Sequence, residues 1–323
     1  MIWLWLGFTA VVIALLAIDL GVFNRRPHAI GVREAAGWSV LWIAVGLAFS
    51  GVIWLVYEHH LFGAAVGPDA AHVVGGGGQA VLQYLTGYVL EKSLSVDNLF
   101  VMAVLFGTFR VRPRYQHRVL FLGILGAIVT RGAMVFGGVW LVTRFEWLFY
   151  VFGVYLAYAG VRMLLPLKEA DLESRWYVRG LRRILPVSRQ DHGQRFLVRE
   201  DGQVKVTMLL IALVAIELTD VVFAVDSVPA VLAISTDPFI VLTSNIFAIL
   251  GLRSLYFLLA HMIARFERLK YSLAAILVVI GVKMLLHEQL KLPTIASLGI
   301  ILGLLAAGIA SSLLGSKRDR TAG

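Results

Sequence analysis

The 323 residues contain no cysteine. That excludes a disulfide framework, thiolate metal sites and a cysteine nucleophile. Charge is scarce too: 15% of residues are Asp, Glu, Lys or Arg, against 59% hydrophobic, with mean hydropathy +0.83. So little polar surface cannot coat a soluble core of this size, and the chain is read as a polytopic membrane protein. Its first segment, MIWLWLGFTAVVIALLAIDLGVFNRR, lacks the basic n-region and small-residue cleavage site of a signal peptide and is read as a retained span.

Crossing the hydrocarbon takes about 20 apolar residues. Nine stretches qualify, at roughly 2–23, 35–57, 80–109, 119–142, 147–165, 206–234, 238–263, 270–286 and 292–314. Cations orient them. Arg25, Arg26 and Arg33 fall in the first connection, and Arg110, Arg112, Arg114 and Arg118 in the third. Ten more, from Arg162 to Lys205, lie in or beside the fifth, Arg265, Arg268 and Lys270 in the seventh, and Lys317, Arg318 and Arg320 in the tail. The even-numbered connections carry Arg144 and Lys291 alone, so the positive-inside rule places the amino terminus outside and the carboxyl terminus in the cytoplasm. The +9 net charge is thereby a topology signal and implies no nucleic-acid partner. Membrane lipid is the expected surrounding.

The connections carry less. Glu58, His59 and His60 begin a Gly-rich second loop and are read as a solvated cluster. In the long fifth loop, Trp176, Leu181, Ile184 and Leu185 can face lipid while Arg175, Arg179, Arg182 and Arg183 face headgroups, as in an interfacial helix. Downstream, Asp201-Gly202 between two alternating runs predicts a hairpin.

The chain repeats itself. GVRMLL at Gly160 to Leu165 returns as GVKMLL at Gly281 to Leu286. Arg131 then corresponds to Arg253 across a one-residue gap, and EKSLSVDN aligns with DVVFAVDS, pairing Glu91 with Asp220, Asp97 with Asp226 and Asn98 with Ser227. The repeated unit is three spans long, and an odd unit repeated in one chain must be inverted in the membrane, the pattern of secondary transporters. The expected fold is therefore all-α, with about nine transmembrane helices and two inverted three-helix repeats. The expected divisions are residues 1–79, repeat A over 80–166, a cytoplasmic loop over 167–205, repeat B over 206–288 and a final span with tail over 289–323.

Acids inside spans need a reason. Each costs about 2.5–3.5 kcal/mol at a helix centre, so Glu91, Asp97, Glu217, Asp220 and Asp226 together cost on the order of 15 kcal/mol if uncompensated. One reading is structural, with the acids paired to Lys92, Arg131, Arg253 and Lys283. The symmetric placement favours a cation site instead, formed by these five with Asn98 and Ser227. Glu217 and Asp220 share a helix face, but six further residues rotate a helix by about 240°, so Asp226 joins them only if the helix breaks. Pro229 is the expected break in the sixth span, and Ser93, Ser95 and Asn98 mark one in the third. An all-oxygen donor set without Cys or His suits Mn²⁺, Mg²⁺ or Ca²⁺, and no resident cofactor is implied.

EKSLSVDNLFV and ELTDVVFAVDSVPA resemble the two signature segments of the TerC family of integral membrane proteins, and residues 91–136 resemble its Alx-like subgroup. The resemblance runs to about residue 314. It implies a Mn²⁺ exporter of the bacterial inner membrane, in the wider LysE-like exporter superfamily, with the family's acids at Glu91, Asp97, Glu217, Asp220 and Asp226. The alternative is a membrane scaffold or insertion partner whose acids only hold the bundle. An intramembrane protease is disfavoured because G-x-G-D is absent. Arg131 and Arg253 are expected either to counterbalance the acids or to snorkel toward an interface. Protons are the expected coupling ion, since five carboxylates exceed what one divalent cation neutralises. Glu217 is the expected carrier because Tyr88 stands at its place in the first repeat.

Overall fold

The computed structural model describes residues 2–23, 31–63, 76–109, 111–145, 147–164, 188, 193–200, 202–260, 269–286, 289 and 293–321. The helices are α1 (Ile2–Phe23), α2 (Val32–Glu58), α3 (Gly76–Thr108), α4 (Pro113–Arg144), α5 (Leu148–Leu164), α6 (Met208–Leu232), α7 (Pro238–Ile249), α8 (Leu252–Ala260), α9 (Leu269–Leu285) and α10 (Thr294–Thr321). Between α5 and α6, strands β1 (Leu197–Glu200) and β2 (Gln203–Val206) pair antiparallel. Glu200 pairs with Gln203, and Gly202 between them has the positive φ of 78° that a two-residue hairpin connection favours. The interfacial segment read around Trp176 to Leu185 lies outside the described residues.

Among the described residues five helices (α1, α2, α4, α6 and α10) are long and apolar enough to cross a membrane, and α7 with α8, bent by 41° at their junction, qualify together as a broken span or a re-entrant loop. Of the nine stretches read from the sequence, α3 has the length, at 33 residues, but carries Glu91, Lys92 and Asp97. Helices α5 and α9 are only 17 residues each. The surface is inverted relative to a soluble protein. Trp3, Val129, Trp140, Val154 and Tyr158 point outward, whereas Arg131 and Arg253 are buried.

The breaks fall elsewhere than expected. Helix α6 runs unbroken past Pro229, because that proline sits in the last turn and forfeits only its own hydrogen bond to Val225. Helix α3 is continuous as well; the Ser93 hydroxyl donates to the Val89 carbonyl one turn back, a bond made within the helix that leaves its run unbroken. The interruption is in the seventh span, at Leu250-Gly251. There Gly251 has φ +83° and a Cβ would lie 2.5 Å from the Trp42 side chain, so only glycine fits on both counts. Lys92 donates to the carbonyls of Ala248 (3.0 Å) and Leu250 (3.4 Å), satisfying groups that the interruption leaves without helical partners. At the other end of α7, Asp237 caps the helix by accepting from Phe239 N at 2.8 Å and Ile240 N at 3.1 Å. Glu58 accepts from Gly77 N at 2.8 Å and so ties the end of α2 to the start of α3.

The most extensive helix contact joins α5 to α9, and next come α4 with α6 and α3 with α7. Glycines set the first. A Cβ on Gly160 would lie 2.7 Å from the Ala274 carbonyl oxygen and 3.0 Å from Val278 N. One on Gly281 would lie 2.7 Å from the Gly153 carbonyl oxygen and 2.6 Å from Ala157 N. The two helices therefore run antiparallel with their backbones touching, a packing open only to residues without a side chain.

Candidate functional site

The bundle centre is built around Arg131 of α4, which is fully buried. Its Nη2 donates to Asp220 Oδ1 at 3.0 Å and its Nε to Asp220 Oδ2 at 3.4 Å, a fork against one carboxylate. Its Nη1 donates to Glu91 Oε1, to Ser227 Oγ at 3.3 Å and to Asn245 Oδ1 at 3.4 Å. Asn98 Nδ2 donates to Asp220 Oδ1 at 3.4 Å. Four helices thus converge: α3 gives Glu91 and Asn98, α6 gives Asp220 and Ser227, α4 gives Arg131 and α7 gives Asn245.

Helical period explains the selection. Glu91 and Asn98 are seven residues apart, as are Asp220 and Ser227, and seven residues bring a helix back to nearly the same face. The sequence reading emphasised acids six apart, which a continuous helix sends to different faces. Asp226 accordingly leaves this centre and accepts a hydrogen bond from the Tyr155 hydroxyl of α5. Asp97 lies on α3, and its side chain is outside the described residues.

Glu217 occupies a neighbouring position. Its carboxylate lies against Gly126, where any Cβ would overlap it. A cavity of about 20 Å³, room for one water molecule, is lined by Met102, Gly123, Glu217, Asp220 and Arg253 among others. Asp220 therefore borders both the Arg131 centre and this cavity. Among the described residues, no three Asp, Glu or His side chains converge as a group able to hold a metal ion. Arg131 instead pairs with both Glu91 and Asp220.

Among the described residues Glu91 Oε2 has no hydrogen-bond partner although Glu91 is fully buried, and the Tyr88 hydroxyl and Ser95 hydroxyl on the same helix share that state. Buried orphan acceptors and hydroxyls are expensive.

The other cations depart from the sequence reading. Arg253 was expected either to counterbalance the site acids or to snorkel toward an interface; it is buried, lines the cavity with Glu217 and Asp220, and its Nη2 donates to Asp19 Oδ1 at 2.6 Å, because α1 brings a carboxylate to the start of α8. Lys283 donates to Ser297 Oγ at 3.0 Å. Asp19, Tyr155 and Asn245 were missed. Only Asp19 carried a clear signal, as the single charged residue within an otherwise apolar first span.

A sequence model described as the Integral membrane protein TerC family matches residues 76–320. An uncharacterized membrane protein of Myxococcus xanthus, STKORF319, is 46% identical over 319 residues, covering 98% of this chain and 94% of that protein. Two proteins named putative membrane-bound redox modulator Alx, from Salmonella typhi and Escherichia coli K12, are 47% and 46% identical over 304 residues, covering 94% of this chain and 91% of each relative. No solved structure matches the chain.

Proposed function

The chain belongs to the TerC family of integral membrane proteins, and from that premise we propose that it exports a divalent metal cation, Mn²⁺ foremost, across the bacterial inner membrane. The observation that carries the reading is the meeting of Glu91, Asn98, Asp220 and Ser227, aligned residues of the two repeats, around one buried guanidinium. A purely structural ion pair needs one acid from one helix. Here matched acids come from both halves, with an orphan acceptor to spare on Glu91.

The helix contacts support an inverted repeat. With the GVRMLL and GVKMLL motifs aligned, Gly160 corresponds to Gly281, Gly153 to Ala274 and Ala157 to Val278. Gly160 against Ala274 and Val278 is then the mirror contact of Gly281 against Gly153 and Ala157. Such reciprocal contacts are the mark of a two-fold relation. Between antiparallel helices the axis is perpendicular to both, which in a bilayer lies in the membrane plane. The exchanged pairings of α4 with α6 and α3 with α7 fit the same relation. Counting the bent α7–α8 pair once, and including α3, α5 and α9, nine rods then cross the membrane, with the amino terminus outside.

In this reading Arg131 holds the place that an incoming cation takes. A divalent ion offers Glu91 and Asp220 twice the charge of the guanidinium and suits their hard oxygens, together with the Asn98 amide and Ser227 hydroxyl. Asp226 and Glu217 flank the centre along α6 and provide successive stations, with Glu217 carrying the coupled proton. The Alx relatives are named redox modulators; with no cysteine, this chain has no thiol through which to act as one directly. The test is reconstitution. Purified protein in liposomes is expected to move Mn²⁺, and Glu91→Gln with Asp220→Asn to abolish the flux while the protein remains folded. Undiminished flux in that double variant would remove the site, and absence of flux in the wild type would favour the scaffold reading.

A further inference from the structure

Three oxygens from three helices close on a single nitrogen, Nη1 of Arg131: Glu91 Oε1 from α3, Ser227 Oγ at 3.3 Å from α6 and Asn245 Oδ1 at 3.4 Å from α7. Asn245 is fully buried, and a second bond orients its amide, Nδ2 donating to the Val241 carbonyl at 3.1 Å one turn back. The oxygen is thereby fixed toward the guanidinium, since a flipped amide would set donor against donor and acceptor against acceptor. The helix that carries it is held at both ends. Asp237 caps its first turn, and Lys92 donates to the carbonyls of Ala248 and Leu250 at its last. Asn245 thus presents a neutral oxygen from a rigid mount. At 3.3 and 3.4 Å, Ser227 and Asn245 hold the guanidinium loosely, longer than a charge-assisted hydrogen bond.

We propose that Asn245 is a ligand of the transported divalent cation, its Oδ1 joining Glu91, Asp220, Asn98 and Ser227 at the place the Arg131 guanidinium holds. The proposal rests on the transport reading above and adds to it a donor from α7. Hard divalent cations take about six oxygens, more than two carboxylates, one amide and one hydroxyl supply at one apiece. The charge balance calls for a neutral addition. Glu91 and Asp220 already match the two charges of the cation, so a further carboxylate would leave a buried site negative, whereas an amide oxygen adds a donor without charge. Cation–oxygen distances are about 2.0–2.6 Å, so a metal ion in place of Nη1 draws Asn245 and Ser227 inward by about 1 Å. A role limited to Arg131 would have the opposite consequence: an amide that only steadies the docked guanidinium favours the competitor of the cation, and its loss would help the cation bind.

The experiment uses the full chain, with equilibrium Mn²⁺ binding in detergent, Mn²⁺ flux in liposomes and thermal unfolding to establish the folded fraction. Asn245→Ala is expected to weaken Mn²⁺ binding and raise the transport KM about tenfold per folded protein. The same loss is expected when Asn245→Ala is made in an Arg131→Gln background, where no guanidinium remains to be steadied. A role confined to Arg131 would leave Mn²⁺ affinity unchanged or raise it in the native background, and its effect would vanish without Arg131; either result overturns the proposal. If Asn245→Ala cannot be recovered folded, Asn245→Leu, close in shape but without the oxygen, gives the same comparison. A wild-type protein that neither binds nor moves Mn²⁺ refutes the transport reading as well, whereas normal wild-type binding with unchanged affinity in Asn245→Ala refutes the added ligand alone.

Discussion

Replacing Arg131 with Gln is the sharpest perturbation of the central cluster. The guanidinium is fully buried, as is Glu91, and the Asp220 side chain is 5% exposed. Its removal strands two carboxylates and takes donors from Ser227 and Asn245. Breaking a buried ion pair by removing one partner costs about 3–5 kcal/mol, because the remaining charge keeps its desolvation penalty. At roughly 2 °C per kcal/mol for a chain of this size, Arg131→Gln should lower the melting temperature in detergent by about 6–10 °C. Saturating Mn²⁺ should recover more of that loss than it adds to the wild type, since a divalent ion supplies the missing positive charge between Glu91 and Asp220. The assay is thermal unfolding with and without Mn²⁺, followed by tryptophan fluorescence. A drop of less than about 2 °C would show that the cluster is solvated or loosely held and would refute the reasoning. A full drop with no added protection by Mn²⁺ would leave a structural knot and refute its role as a cation site.

Three further outcomes are expected. Gly281→Ala places a methyl group 2.6 Å from Ala157 N, a backbone atom that cannot step aside, and should destabilise the protein by about 1–3 kcal/mol in the same unfolding assay; a neutral result would contradict the close α5–α9 approach. Gly126→Ala meets instead the movable end of Glu217, so it should leave the melting temperature nearly unchanged while altering Mn²⁺ flux, and unaltered flux would remove Glu217 from the route. With an imposed pH gradient, acidic outside, Mn²⁺ should leave lumens that stand for the cytoplasm, and Glu217→Gln should weaken the dependence on that gradient more than it weakens Mn²⁺ binding; flux indifferent to the gradient in the wild type would end the proton-coupling proposal.

Much of the chain was legible without coordinates. Hydropathy and charge scarcity establish a membrane protein because a bilayer admits helical spans and expels most charges, a property of composition alone. The alignment of EKSLSVDN with DVVFAVDS pairs Glu91 with Asp220, Asp97 with Asp226 and Asn98 with Ser227; the structure brings Glu91, Asp220 and Ser227 to Arg131 and Asn98 to Asp220, while Asp226 turns to Tyr155. Helical rotation predicts that Asp226 leaves Asp220 on a continuous helix, though whether α6 is continuous is not visible in the sequence. Tertiary packing decided that. Pro229 falls where the helix is about to end, while Gly251, pressed against Trp42, takes the break. The partner of Arg253 was equally hidden: equivalence in the repeat pointed to the acids, but Asp19, over two hundred residues earlier, arrives on a helix that belongs to neither repeat. Periodicity and composition are local, so they report faces, spans and matched motifs; which charge meets which depends on the order in which helices pack, and that order is set by contacts such as Gly160 on Ala274 that only the folded chain brings together.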